Sequence, residues 1–387
     1  MRHRRLQLCI CSVSMLTLLG YFILSETEMM YCTRLQSLNH HNLQDNLKKM
    51  PSWMFEEVYL QNSQSRETEC QKSLRKSENP EFKEAFIPNI QLFLHKGHVN
   101  ISEWSRLAHF NNPFGFMGYK YTELEEIVNL IPKTRESHFL PVSSAGRKGC
   151  IHCAVVANGG ILSGSMMGLE IDSHDYVFRM EGAMIEGYEQ DVGRRTSVYV
   201  HTAQSLMKSL YMFQEWDIRD VPFNEGIRYV LIPVGLWDFH VLKALLLNTS
   251  VPGSSEMMPR SYFLGKFDDK RYHVLHPDFL RYIRNRYLKS WHLNAMSWHK
   301  FRPTSEVFSL FLALHTCDVV NAYGFLTEDH RKYSENYFKT YESRHRFYQH
   351  YDHKVELDLW RRLHNAKLIK LCRRSRCNGK LQHKMIR

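Results

Sequence analysis

Between Leu6 and Leu24 the sequence has no charged residue, and no small-residue cleavage site follows. The first absence allows burial in lipid, and the second argues against a cleaved secretory signal, which stays the lesser reading. At ~1.5 Å rise per residue the stretch makes ~28 Å of helix, close to the ~30 Å of a hydrocarbon core. It therefore predicts a transmembrane signal anchor over residues 6–24. Arg2, Arg4 and Arg5 favour a cytosolic tail of residues 1–5, a single-pass type II protein with the rest of the chain luminal. There is no internal repeat, which excludes a stacked-repeat architecture. Acidic residues are the scarcer charge, 40 against 51 Lys and Arg, for a net charge of +11. In a lumen that excess suits acidic sugars or nucleotide phosphates better than nucleic acid.

Other features fit a luminal address. Asn100-Ile-Ser and Asn248-Thr-Ser are glycosylation sequons. Of the 9 cysteines, Cys9 and Cys11 lie in the span, and Cys32 lies where it could join two chains into a homodimer. Cys70, Cys150, Cys153 and Cys317 lie in the body of the chain, where an oxidising lumen would cross-link them. Cys372 and Cys377 close a basic tail. Residues 25–68 are polar and read as a stem. Residues 69–387, roughly 320 of them, suffice for one large luminal domain with a substantial core.

Within that domain, strands are predicted at Cys153–Val156, Tyr176–Met180, Ser197–His201, Arg228–Val234 and Val319–Phe325. Helices are predicted at Tyr121–Leu130, Pro277–Leu288, Glu306–Thr316 and Val355–Leu363. The alternation gives the fold class: α/β, a mainly parallel sheet flanked by helices. The run Ala154, Val155, Val156 leads into Asn158, Gly159 and Gly160 at the carboxyl end of a strand, where such folds place ligands. The glycines would let a ligand approach the backbone, and Asn158 would offer its amide to phosphate or ribose. On spacing alone, an ordinary strand turn is an equal reading.

The segment Cys150–His201 contains CAVV-x-NGG, EIDSHDYVFR and GYEQDVG-x-RTS. It resembles the large sialyl motif of glycosyltransferase family 29. Arg302–Phe325, RPTSEVFSLFLALHTCDVVNAYGF, resembles the small sialyl motif. NISEWSRLAHFNNPFGFM, LHPDFLRYIRNRYLKS and LWRRLH resemble the N-acetylgalactosamine α-2,6-sialyltransferases within that family. The resemblance runs from about Cys70 to Leu371. It implies a modified GT-A fold, residence in the Golgi membrane, CMP-sialic acid as donor and O-glycosylated proteins as acceptors. It also implies inversion at the anomeric carbon with neither metal nor cofactor, and the chain indeed has no Asp-x-Asp triplet. A Cys153–Cys317 disulfide is implied, leaving Cys70 to pair with Cys150. A zinc site from Cys150 and Cys153 with Cys372 and Cys377 is the weaker reading.

Four positions depart from the family pattern. Glu181 follows Arg179 and Met180, where Asn or Ser is usual. Thr304, Ser305 and Glu306 open the small-motif helix, where the last residue is usually Gly. A helix N-terminus offers N–H groups and hydroxyls to an anion, so Thr304, Ser305 and Glu306 join Asn158, Gly159 and Glu181 as the six donor-binding candidates, with the Glu306 charge a competitor to a bound anion. A like-charge contact at ~4 Å and an effective dielectric of ~20 costs about 4 kcal/mol. Asn336 stands where the family histidine assists the departing phosphate. Tyr351 stands where the family's general base lies, five residues before Glu356, and a phenol titrating near ~10 is a poor base. The flanking His350 and His353 are the substitute candidates. Together with His345 they also resemble a metal cluster, for which a solvated loop is the better reading. Two function classes follow: a sialyltransferase acting on N-acetylgalactosamine of O-glycans, or a non-catalytic relative that binds glycans or a partner.

Overall fold

A computed structural model describes residues 56–63, 66–133, 139–141, 149–213, 220–253, 257–294, 298–339 and 350–372. The expected tail, anchor and most of the stem, with Cys9, Cys11, Cys32, His345 and Cys377, lie outside the described residues. Among the described residues no helix is long and apolar enough to cross a membrane.

Eight strands form one sheet: β1 Phe93–Leu94, β2 His152–Val156, β3 Tyr176–Met180, β4 Val198–His201, β5 Arg228–Leu231, β6 Tyr272–Leu275, β7 Val319–Tyr323 and β8 Ile369–Cys372. Their order is β1-β6-β5-β4-β3-β2-β7-β8. Only the β1–β6 edge pair is antiparallel. The expected α/β class and mainly parallel sheet are what the chain adopts. Helices of eight residues or more are α1 Tyr121–Val128, α2 Ala203–Phe213, α3 Leu236–Leu247, α4 Pro277–Tyr287, α5 Ser305–Thr316 and α6 His353–Asn365.

The central helix is α5. Its sequence is apolar on every face, which suits a fully enclosed helix, and Val307 through Thr316 are all buried. It packs against β2, β3, β4 and β7. By contrast, α6 buries one stripe, Glu356, Leu359, Trp360 and Leu363, and its cap Asp352 accepts from Val355 N–H at 3.2 Å.

Two strands end earlier than the sequence predicts. Strand β7 stops at Tyr323 because Gly324 turns the chain at φ +71°, a conformation open to glycine. Strand β5 stops at Leu231, before Pro233, where the chain turns toward α3. The residues 56–63, read from composition as stem, pack on the domain. Tyr59 is buried, Gln61 bridges to Ile90, and Leu60 N–H donates to Asp278 at 2.7 Å.

Disulfides join Cys70 to Cys150 and Cys153 to Cys317. The second ties β2 to the chain just after α5. With both thiols of Cys150 and Cys153 consumed, the zinc reading falls. Cys372 is also disulfide-bonded, with its partner outside the described residues. Asn100 and Asn248 are both exposed.

A candidate active site at the switch point of the sheet

Strand β2 continues to β3 on one side of the sheet and pairs with β7 on the other. Between their carboxyl ends lies the crevice where open parallel sheets take ligands. A cavity of about 230 Å³ opens there. It is lined by Asn158 and Gly159 after β2, Glu181 after β3, Thr304, Ser305 and Glu306 at the start of α5, Asn336, and Tyr351 and His353 beside α6. All six donor-binding candidates thus meet in one place, although up to 148 residues of sequence separate Asn158 from Glu306. His350 does not line the cavity.

The loop after β2 does not use its residues as the sequence suggested. A Cβ on Gly159 would lie 2.3 Å from the Gly324 carbonyl oxygen, and one on Gly160 2.2 Å from that of Ser334. The backbone that requires these glycines is the protein's own, not a ligand. Gly159 N–H donates to Gly324 O at 3.0 Å. Gly159 bridges Asn336, and Tyr337 N–H donates to Asn158 O at 3.1 Å. Asn336 therefore sits at the cavity because its segment pairs with the loop after β2. The Asn158 amide donates one of its two N–H groups to Glu181 O at 2.7 Å, which fixes the side chain over the crevice. Its Oδ1 is buried without a hydrogen-bond partner. Oδ1 is thus open to a ligand hydroxyl or amine, beside the second N–H of the amide.

Three glutamates converge at the start of α5. Glu356 accepts from Thr304 N–H at Oε1 and from the Thr304 hydroxyl at Oε2, both at 2.9 Å. The Ser305 hydroxyl donates to Glu181 Oε1 at 2.6 Å. Glu181 Oε2 is buried without a hydrogen-bond partner. Burial raises the Glu356 carboxyl to about 8, and nearby Glu306 adds to the shift. Burial raises Glu181 to about 7, with Ser305 opposing and Glu306 adding. Glu306 is also raised, by burial. Near neutrality this corner therefore carries less negative charge than three ordinary carboxylates would. The expected competition from Glu306 is correspondingly weakened.

The base candidates separate. Burial holds Tyr351 above the usual phenol range, against the opposing pull of Arg302. The Arg302 guanidinium lies 5.7 Å from the Tyr351 ring centroid, and Arg302 N–H donates to His350 O at 3.1 Å. Burial, with help from Arg302 and His353, lowers His350 to about 4. His350 thus stands off the cavity, and its imidazole is a weaker base than an ordinary one. Sequence reasoning missed His330, Tyr333, Glu335 and Trp360. Of these only Trp360 carried a signal, lying four residues after Glu356 on the same face of α6. Among the described residues no group of three or more His, Cys, Asp or Glu could hold a metal ion.

The family model for glycosyltransferase family 29 (sialyltransferase) matches residues 93–368, more than half of the chain. The chain belongs to glycosyltransferase family 29. Its curated relatives include human α-N-acetylgalactosaminide α-2,6-sialyltransferase 1, 43% identical over 336 residues, which are 85% of this chain and 56% of that protein. The chicken protein of the same name is 42% identical over 85% of this chain and 60% of its own length. The chain thus spans about three fifths of these relatives. Mouse α-N-acetylgalactosaminide α-2,6-sialyltransferase 2 is 35% identical, covering 81% of this chain and 85% of that protein. A crystal structure of a mammalian sialyltransferase matches with a TM-score of 0.57 at 22% identity, over 80% of this chain and 99% of that one. At that identity the likeness concerns the fold.

Proposed function

We propose that this chain transfers sialic acid from CMP-sialic acid to the 6-hydroxyl of N-acetylgalactosamine on O-glycosylated proteins, forming an α-2,6 linkage. The observation that carries this reading is the convergence of both sialyl motifs on one cavity, in a chain 43% identical to a relative named for that activity. The non-catalytic alternative is not favoured.

The nucleotide occupies the crevice between β2, β3 and α5. Asn158 Oδ1 receives a hydroxyl or amine of the donor, and the positive end of the α5 dipole faces its anionic groups. His353, at the first turn of α6 and on the cavity wall, removes the proton from the acceptor hydroxyl. The acceptor oxygen then attacks the anomeric carbon with inversion, and CMP leaves with the bonding electron pair. No metal or cofactor takes part. A modified GT-A fold, an anchor at residues 6–24, a luminal domain in the Golgi, and glycans on the exposed Asn100 and Asn248 complete the proposal. Cys32 remains the proposed link between two chains.

The test incubates the full-length chain with CMP-sialic acid and a glycopeptide carrying N-acetylgalactosamine on Ser or Thr. Mass spectrometry should show addition of one sialic acid, removable only by a sialidase that cleaves α-2,6 linkages. A folded chain that binds CMP but yields no product would refute the transferase reading.

A further inference from the structure

The start of α5 is an anion site partly filled by the protein itself. Thr304 gives its N–H and hydroxyl to Glu356, both at 2.9 Å, and Ser305 gives its hydroxyl to Glu181 at 2.6 Å. Glu356 belongs to α6 and pins α5 in place. Glu181 is different, because it follows β3 and reaches the Ser305 hydroxyl across the cavity. Its Oε2 is buried without a hydrogen-bond partner. The Ser205 hydroxyl of α2 also lies beside the carboxyl and favours its ionised form, while it contacts Thr202 at 2.7 Å to Oγ1 and 3.1 Å to the carbonyl.

We infer that Glu181 is a specificity-determining residue of this pocket: its carboxyl holds the Ser305 hydroxyl that an anionic donor group would take, so an anion enters only when that carboxyl is protonated. Ionised, Glu181 acts as an internal anion and repels the nucleotide phosphate. Neutral, it no longer repels an anion, and a proton carried on Oε1 offers a hydrogen-bond donor where an acceptor had stood. The titratable groups facing it are Glu306 of α5, Tyr199 of β4 and Tyr351 ahead of α6. None of the three is cationic, so among the described residues none of the groups acting on Glu181 is a fixed positive charge that holds it ionised. Its carboxyl is accordingly raised to about 7, chiefly by burial. This inference rests on the reading that the cavity takes the CMP donor.

The test measures CMP binding to the full-length chain by calorimetry from pH 5.5 to 8.5, for wild type and Glu181→Gln. A carboxyl titrating near 7 is about nine-tenths neutral at pH 6 and about one-tenth at pH 8, so wild-type affinity should fall about tenfold between them. Glu181→Gln, neutral at every pH, should lack that extra slope and bind as wild type does at pH 6. Titration of the CMP phosphate is common to both proteins and drops out of the comparison, whereas Glu306, which interacts with Glu181, contributes to the difference through that pair. If Glu181→Gln folds poorly, Glu181→Asn should give the same flat profile. Identical pH profiles for wild type and both variants would overturn the role of Glu181 while leaving the donor reading intact. No CMP binding by any folded variant at any pH would overturn both.

Discussion

The Glu356 clamp on Thr304 allows a perturbation whose size follows from the geometry. Glu356 is buried and bonded twice to one residue at the mouth of α5, and its carboxyl titrates near 8. At pH 6 it is therefore a neutral acid, with one oxygen accepting from Thr304 N–H and the other exchanging a hydrogen bond with the Thr304 hydroxyl. Glutamine reproduces both contacts, with its carbonyl accepting from the N–H and its amide donating to the hydroxyl. Glu356→Gln should thus cost under about 1 kcal/mol at pH 6. Glu356→Ala strands a buried N–H and hydroxyl and leaves a void, a loss of about 3–5 kcal/mol. At roughly 2 °C per kcal/mol for a large domain, that lowers Tm by about 6–10 °C. The two states also differ in pH response. Between the ordinary carboxyl range and 8, the folded state holds a proton that the unfolded chain has lost. Stability therefore falls as pH rises across that interval and levels above 8. Glu356→Gln removes this component, so its Tm should fall less than that of wild type between pH 5.5 and 8.5. Thermal unfolding of the full-length chain, followed by near-UV circular dichroism, reads both effects. If Gln and Ala are equally damaging at pH 6, the clamp needs an ionised carboxylate and the reasoning fails.

Gly159→Ala would force a Cβ to 2.3 Å from the Gly324 carbonyl oxygen. It should lower Tm by several degrees and weaken CMP binding at least tenfold, whereas a change in neither would mean that the two loops part freely. His353→Ala should reduce transfer by a factor of 10² or more with CMP affinity within about threefold. His350→Ala, outside the cavity, should keep most of the transfer, and the reverse ranking would reassign the base.

Much of the fold was legible because its core elements carry strong local patterns. Tyr176–Met180 was bounded to the residue, since a short apolar run between polar turns has few other solutions. The helices α4, α5 and α6 were placed within two residues at each end. Apart from α2, Ala203–Phe213, whose apolar stripe was overlooked, what escaped had no period to detect. Leu236–Leu247 is apolar on nearly every face, so it shows no stripe, and β1, β6 and β8 are two to four residues long. The members of the site were legible through the family motifs, but their wiring was not. Nothing in the order of residues says that the Asn158 amide is tied to Glu181 O, or that Gly159 and Gly160 accommodate the chain's own carbonyls. His330 carried no signal, because its place depends on how the loop after β7 folds back over the crevice.

The four departures from the family pattern differ in what the surroundings can repair. A glutamate in an anion site is harmful only while ionised, and burial raises Glu181 to about 7 and Glu306 upward too. The full like-charge cost of about 4 kcal/mol per contact is therefore met only well above neutrality. A mildly acidic medium removes much of it without any change of sequence. Tyr351 is the opposite case. Burial moves a phenol further from the pH at which it could accept a proton. No environment of that kind restores a base, so a second residue must supply the function. On the proposed reading, the donor half of the site, built on β2, β3 and α5, is thus self-correcting, whereas the acceptor half beside α6 depends on His353. Loss of donor binding and loss of turnover are for that reason separable in this chain, and each variant should report on one of them.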